Sequence, residues 1–171
     1  MKTGLPIALA LGVITFSSPA LASPTFYGVF KGGWTDLDYR EIPSGVDTTD
    51  YSFSALAGVD FPVTREIFSA GIEGGATWLG EYEDVKLFGI EAAFIGKARV
   101  ATGTDLFLRA GALAWDADAD HGQDDDGVDP LWGLGFSYGL DRLRFRGSVD
   151  WYEIDDADVE TYTLGLEYPF N

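Results

Sequence analysis

The side chains that could carry chemistry are few in kind. The 171-residue sequence has no cysteine and one histidine, His121, so a disulfide framework, a thiolate metal site and a histidine-rich zinc site are all excluded. Any histidine-dependent enzyme would have to use His121, held on a rigid element beside a serine or carboxylate partner. It stands instead next to Gly122 in the run DADADHGQDDDGVD, Asp116 to Asp129, which contains no serine. No catalytic residue and no enzyme activity are expected. In the same run Asp116, Asp118 and Asp120 have the one-three-five spacing of a calcium loop. The sixth place is then His121 where glycine is needed, and the twelfth is Gly127 where glutamate is needed. A solvated, self-repelling acidic loop is the leading expectation, with weak divalent-cation binding as the alternative, because clustered carboxylates suit hard cations. No cofactor and no defined metal site are expected.

A second set of ionisable residues is spaced differently. Lys31, Glu73, Glu91, Lys97, Arg109, Arg144, Arg146, Asp150 and Glu167 all lie in segments that alternate apolar with small or polar residues. Phe26, Gly28, Phe30, Gly32 and Trp34 oppose Tyr27, Val29, Lys31 and Gly33. Phe68, Ala70, Ile72, Gly74, Ala76 and Trp78 oppose Ser69, Gly71, Glu73, Gly75 and Thr77. Leu106, Leu108, Ala110, Ala112 and Ala114 oppose Phe107, Arg109, Gly111, Leu113 and Trp115. Period two is the signature of a strand whose faces meet different surroundings. Eight such segments, each about ten residues long, fill the sequence after Ser23, and in all of them the charges fall on one face.

Alternation alone does not distinguish a soluble sandwich, charged outside, from a membrane barrel, apolar outside. The connections decide. Short turns at Pro62 to Arg65, Ala101 to Asp105 and Asp141-Arg142 alternate with longer polar loops at Asp36 to Asp50, Glu81 to Asp84, Asp116 to Pro130 and Asp155 to Asp158. Short turns on one side and longer loops on the other are the outer-membrane pattern. Trp34, Trp78, Trp115 and Trp151 end segments that run into the loop side, and Trp132 opens one that leaves it. Phe26, Phe61, Phe68, Tyr168 and Phe170 collect at the opposite ends. Two aromatic girdles are expected of a barrel in a bilayer. The predicted fold is therefore all-β, an eight-stranded antiparallel up-and-down transmembrane β-barrel, whose closed sheet leaves no backbone group unpaired in hydrocarbon. Its interior is just wide enough for side chains to fill. By parity the nine charges above enter that interior, five positive and four negative. Charges so withdrawn from water need partners, so a static salt-bridge network that plugs the lumen is the leading expectation. A narrow gated ion path is the alternative.

Met1 to Ala22 reads as an export segment: Lys2 is the positive start, Leu5 to Phe16 the apolar run, and Ala20-Leu21-Ala22 a small-x-small cleavage site. Its removal leaves residues 23–171, 149 residues with a formal charge of −18, as a single barrel domain. With Lys+Arg 11 against Asp+Glu 28, sequence-blind nucleic-acid binding is not expected.

Three stretches resemble the OmpA-type eight-stranded transmembrane domain. They are Ala70-Gly71-Ile72-Glu73-Gly74 leading to Trp78-Leu79-Gly80, then Gly96-Lys97-Ala98 through Asp105-Leu106-Phe107-Leu108-Arg109-Ala110-Gly111 to Trp115, and last Arg146 before Trp151 with the Leu164-Gly165-Leu166-Glu167-Tyr168-Pro169-Phe170 end. OmpX-like and opacity-type small barrels share the architecture. The resemblance implies a luminal glutamate–arginine gate with a lysine as alternative partner, positions that fall on Glu73, Arg146 and Lys97. The second acidic partner of that gate falls on Ser137, which cannot form a salt bridge, so Glu91 or Glu167 would have to substitute. The sequence stops after the eighth segment, so the periplasmic peptidoglycan-binding domain of OmpA is not expected. Phe170, one place before Asn171, is the residue the barrel-assembly machinery would read. The expected protein is a monomeric structural barrel of the cell outer membrane, in contact with outer-membrane lipid and lipopolysaccharide. A narrow pore and a surface adhesion or receptor role are the alternatives.

Overall fold

The computed structural model describes residues 23–39, 49–64, 67–82, 85–119, 125–140, 142–154 and 157–170. The export segment Met1 to Ala22 lies outside them, as do Asp120 and His121 of the acidic run. The chain forms eight strands: β1 (Thr25–Tyr39), β2 (Thr49–Thr64), β3 (Phe68–Tyr82), β4 (Val85–Ala101), β5 (Thr104–Ala119), β6 (Asp125–Leu140), β7 (Leu143–Ile154) and β8 (Ala157–Pro169). Each pairs antiparallel with the next, and β1 pairs with β8 to close the sheet. This is the up-and-down barrel that the alternation predicts.

The two faces differ as the period-two pattern requires. Phe30, Ile90, Phe94, Leu108, Phe145 and Leu164 point outward and are 61–68% exposed. Lys31, Glu91 and Arg109, one position along from Phe30, Ile90 and Leu108, are buried inside. In water a continuous belt of that kind would be an aggregation surface; against lipid tails it is the matching face. Trp34 stacks on Tyr162 with centroids 6.0 Å apart, and Trp132 on Trp151 at 4.3 Å. Trp78 pairs across the sheet with Phe53 and Phe88. At the turn end Phe26, Phe61, Phe68, Tyr168 and Phe170 are exposed, and Phe170 is tied back by its amide, which donates to the Phe26 carbonyl at 2.8 Å.

Trp115 does not join the loop-side aromatics. It follows the inward parity of Phe107, Arg109 and Leu113, is buried inside the barrel, and its indole N–H donates to Asp129 Oδ2. An indole N–H held away from water needs an acceptor, and the facing strand supplies one.

The strands are also longer than ten residues, from 12 in β7 to 17 in β4. The additional residues come from stretches whose composition reads as loop. Asp116 to Ala119 continue β5, and Asp125 to Pro130 open β6, in the register Leu113↔Asp129, Trp115↔Gly127 and Ala117↔Asp125. Past the bilayer both faces of a strand meet water, so the apolar alternation disappears while the backbone ladder continues. Three bulges mark strand ends, at Pro62/Thr64, Trp78/Gly80 and Arg99/Ala101. Gly80 has φ 122°, a conformation that only glycine adopts without strain. The bulge beside it leaves Leu79 without a cross-strand partner and sends its side chain wholly into the lumen.

Candidate functional site

The lumen is filled by side chains arranged in levels. At the turn end, Lys97 Nζ lies 2.8 Å from Asp60 Oδ2 and 3.4 Å from Glu167 Oε2. Arg144 Nη2 reaches Asp105 Oδ2 at 2.6 Å and donates to Ser137 Oγ at 2.9 Å, and its Nε lies 3.5 Å from Glu167 Oε1. Arg99 caps this level from the rim, with Nε 3.0 Å from Asp105 Oδ1. A cavity of ≈ 300 Å³ opens here, lined by Asp60, Lys97, Arg144 and Glu167 among others.

The middle level is built on Glu73 of β3 and Arg146 of β7. Arg146 grips both oxygens of Glu73, Nη1 on Oε1 and Nη2 on Oε2, the second at 2.9 Å. The fork of a guanidinium matches a carboxylate in this bidentate way, and such pairs are among the stronger hydrogen-bonded contacts. The Tyr27 hydroxyl donates to Glu73 Oε1 at 2.8 Å. Tyr27 can lie there because position 58 on the adjacent strand is glycine: a Cβ at Gly58 would come within 2.5 Å of the ring. Arg146 is also held over the face of Phe107, 4.2 Å from its centroid, and Lys97 over Tyr27 at 4.0 Å.

Above this, Arg109 of β5 bridges two carboxylates: Nη2 donates to Glu91 Oε1 at 2.6 Å and Nη1 lies 3.3 Å from Asp150 Oδ1. Lys31 Nζ meets Asp150 Oδ2 at 2.6 Å, Ser148 Oγ donates to the same oxygen at 2.9 Å, and the Tyr152 hydroxyl donates to Glu91 Oε2 at 3.1 Å. Arg109 Nε, 3.9 Å from Glu73 Oε2, links the two levels. Toward the loop end the lumen turns apolar. Leu79, Leu87, Ala93, Leu113, Trp115, Leu131, Tyr152, Ile154 and Val159 form one buried cluster, against which Leu37 and Ala117 pack.

All nine charges that parity sends inward are found inside, and Glu73 and Arg146 are brought together. Lys97 is not on Glu73; it is shared between Asp60 and Glu167. At Ser137 the second acid is missing, and the carboxylate that comes within reach of Arg146, at 3.4 Å from Nη1, is Glu167 of the adjacent β8. Glu91 serves Arg109 instead. Asp60, Asp105 and Arg99 join the network unforeseen. Asp60 has the inward parity of Ser54, Leu56 and Gly58, and Arg99 and Asp105 continue the inward parity of Lys97 and Phe107 up to the turn, so alternation was enough to find all three. With them the charged levels and the turn-end rim hold six bases and six carboxylates. The apolar cluster at the loop end also went unforeseen, though Leu113, Leu131 and Tyr152 continue the inward parity.

Among the described residues no set of three or more histidine or carboxylate side chains could cage a metal ion. The chemistry this arrangement supports is mutual neutralisation.

No protein-family model matches the sequence. It is 32% identical over 154 residues to outer membrane protein A of Yersinia pseudotuberculosis, an alignment that takes in 77% of this chain and 43% of that protein. It is 27% identical over 199 aligned positions to outer membrane protein A of Klebsiella aerogenes, covering 99% of this chain and 55% of that one. The chain thus spans about half the length of the curated relatives it matches. Among solved structures it resembles the attachment invasion locus protein Ail of Yersinia pestis, with a TM-score of 0.66 at 13% identity over 86% of this chain and 98% of that one. It also resembles Neisserial surface protein A, with a TM-score of 0.61 at 13% identity over 87% and 100% of the two chains. At that identity the two structures speak for the fold alone. The named sequence relatives, the small-barrel neighbours and the closed eight-stranded sheet together make this chain an OmpA-like β-barrel of the cell outer membrane.

Proposed function

We propose that the protein is a structural barrel of the outer membrane whose lumen is closed by its own side chains. The observation that carries this reading is the pairing inside: Glu73, Glu91, Arg109, Arg146 and Asp150 are each at most 3% exposed and each faces an opposite charge. An unpaired charge in such a place costs several kcal/mol, so the network supports a filled, static interior. Single-channel recording of the refolded chain beside Glu73→Ala and Arg146→Ala tests it. Silence from all three, with folding verified by a heat-dependent gel shift, is the expected result. Discrete small openings altered by either substitution would favour the narrow gated path, a reading that draws on the position of Glu167 within 3.4 Å of both Lys97 and Arg146.

The loop end is proposed to face the cell exterior, with the short turns in the periplasm. Its ladder sets like charges across from one another, Asp36↔Glu160, Glu153↔Asp158 and Asp116↔Asp126. Cross-strand like charges are destabilising, and lipopolysaccharide presents phosphates to the same rim. Divalent cations bridging phosphate and carboxylate would relieve both. EDTA is expected to lower the melting temperature of the barrel in lipopolysaccharide-containing bilayers, and indifference to EDTA would count against the bridge. An adhesion or receptor role would use this same acidic rim and so would favour a cationic partner.

Export by cleavage after Ala22, assembly by the barrel-assembly machinery through the Phe170 end, and a monomeric state complete the proposal. N-terminal sequencing of the mature protein should then begin at Ser23. No catalytic role is proposed for His121 or any luminal group.

A further inference from the structure

The levels of the lumen differ in chemistry and in access, and this asymmetry has a consequence for ions. At the turn end the cavity of ≈ 300 Å³ opens onto Lys97, Asp60 and Glu167, so bulk water stands against the charged levels from that side. At the loop end the cross-section is occupied by Leu79, Leu113, Trp115, Leu131, Ile154 and Val159, all at most 8% exposed. The cluster takes residues from each of β3 to β8, and Leu37 of β1 packs on it. Among the described residues β2 contributes none; its inward residue beside Leu79, next to the Phe53↔Trp78 pair, is Ser52, 1% exposed.

The two regions oppose an ion by different means. A charged level that loses one salt bridge keeps hydrogen-bonding groups, and water entering from the open cavity can solvate what is left. The apolar level offers little to replace an ion's hydration shell, only the Asp129 carboxylate held by the Trp115 indole and the buried hydroxyls of Thr35 and Ser52, and narrow apolar constrictions block conduction by shedding water. We propose that the barrel is a one-sided well, wet from the turn end up to its charged levels, and that its ion barrier is the apolar level at the loop end rather than the Glu73–Arg146 pair. The proposal rests on the closed-barrel reading above and assigns the closure to particular residues.

Two measurements on the refolded full chain test it. The first is ion leak from salt-loaded vesicles of phosphatidylcholine and phosphatidylglycerol. Wild type and Glu73→Gln should both be tight, whereas Leu113→Ser/Leu131→Ser should leak; if the double variant does not fold, Leu131→Ser alone is used. A leak from Glu73→Gln that equals or exceeds that of the serine variant would overturn the proposal, as would a folded serine variant that stays tight. A leak from wild type would instead defeat the closed-barrel reading itself.

The second measurement needs no perturbation of the charged groups. The chain has no cysteine, so a single introduced thiol reports alone. Ser69→Cys, on the cavity wall, should react with a membrane-impermeant thiol reagent. Ser52→Cys, buried at the height of the apolar level, should not. Labelling of Ser52→Cys at a rate comparable to that of Ser69→Cys would show the apolar level to be wet and overturn the assignment.

Discussion

Replacing Arg146 by methionine separates the value of the central ion pair from the cost of burying its partner. In the wild type Arg146 holds both oxygens of Glu73, and neither side chain is more than 1% exposed. Removing one member of a buried pair typically costs about 3–5 kcal/mol, because the other charge is left uncompensated. Glu73 would keep the Tyr27 hydroxyl at 2.8 Å and Arg109 Nε at 3.9 Å, which places the expected loss at the lower end, about 3 kcal/mol. The double variant Glu73→Gln/Arg146→Met removes both charges and still offers Tyr27 an acceptor. Replacing both partners of a buried pair is often close to neutral, so the double variant should lie within about 1 kcal/mol of wild type. The coupling between the two sites is then about 2 kcal/mol or more, in the range seen for residues in direct contact. The assay is reversible urea unfolding in thin phospholipid bilayers, followed by tryptophan emission and by the gel shift. An Arg146→Met variant within about 0.5 kcal/mol of wild type, or a double variant as unstable as the single one, would refute the reasoning.

Other substitutions probe the remaining parts of the structure. Leu113→Ala opens a cavity in the apolar level and should cost about 2–5 kcal/mol in the same assay, depending on how far the cluster collapses. Gly58→Ala puts a methyl group against the Tyr27 ring, 2.5 Å from its nearest atom, and the overpacking should cost about 1–3 kcal/mol. Trp115→Phe keeps an aromatic ring but leaves Asp129 without the indole donor; a loss of about 1 kcal/mol, with blue-shifted emission lost from the spectrum, is expected from one buried tryptophan hydrogen bond. Asp126→Asn relieves the Asp116↔Asp126 pairing and should raise the unfolding free energy at low salt by about a few tenths of a kcal/mol, an effect that about 1 M salt abolishes.

Alternation made the barrel legible because a lipid-facing strand must keep one face apolar and the other not, and Phe26 to Trp34 or Ile72 to Trp78 do so without exception. The same rule locates the luminal charges residue by residue, Asp60 included. It fails where the environment stops being two-sided. Asp116 to Ala119 and Asp125 to Asp129 stand beyond the bilayer, so composition reads as loop although the backbone still pairs. Trp115 shows a related limit: its place at the end of a strand suggests a girdle, but its parity sends it inside, and parity prevails because the strand cannot turn one side chain without a bulge. The apolar level went unread for a third reason. A membrane barrel's interior is expected to be polar, so inward Leu113, Leu131 and Val159 carry no signal until the register sets them side by side. The partner of Arg146 beyond Glu73 was likewise a matter of register, since only the antiparallel pairing of β7 with β8 brings Glu167 near.

The proposed function requires that the folded barrel be closed. Single-channel recording of the refolded wild-type chain in a planar bilayer, at both polarities and with folding established by the heat-dependent gel shift, tests it most directly. A closed barrel leaves the membrane silent; discrete, reproducible openings from the folded wild-type barrel would show that its lumen conducts.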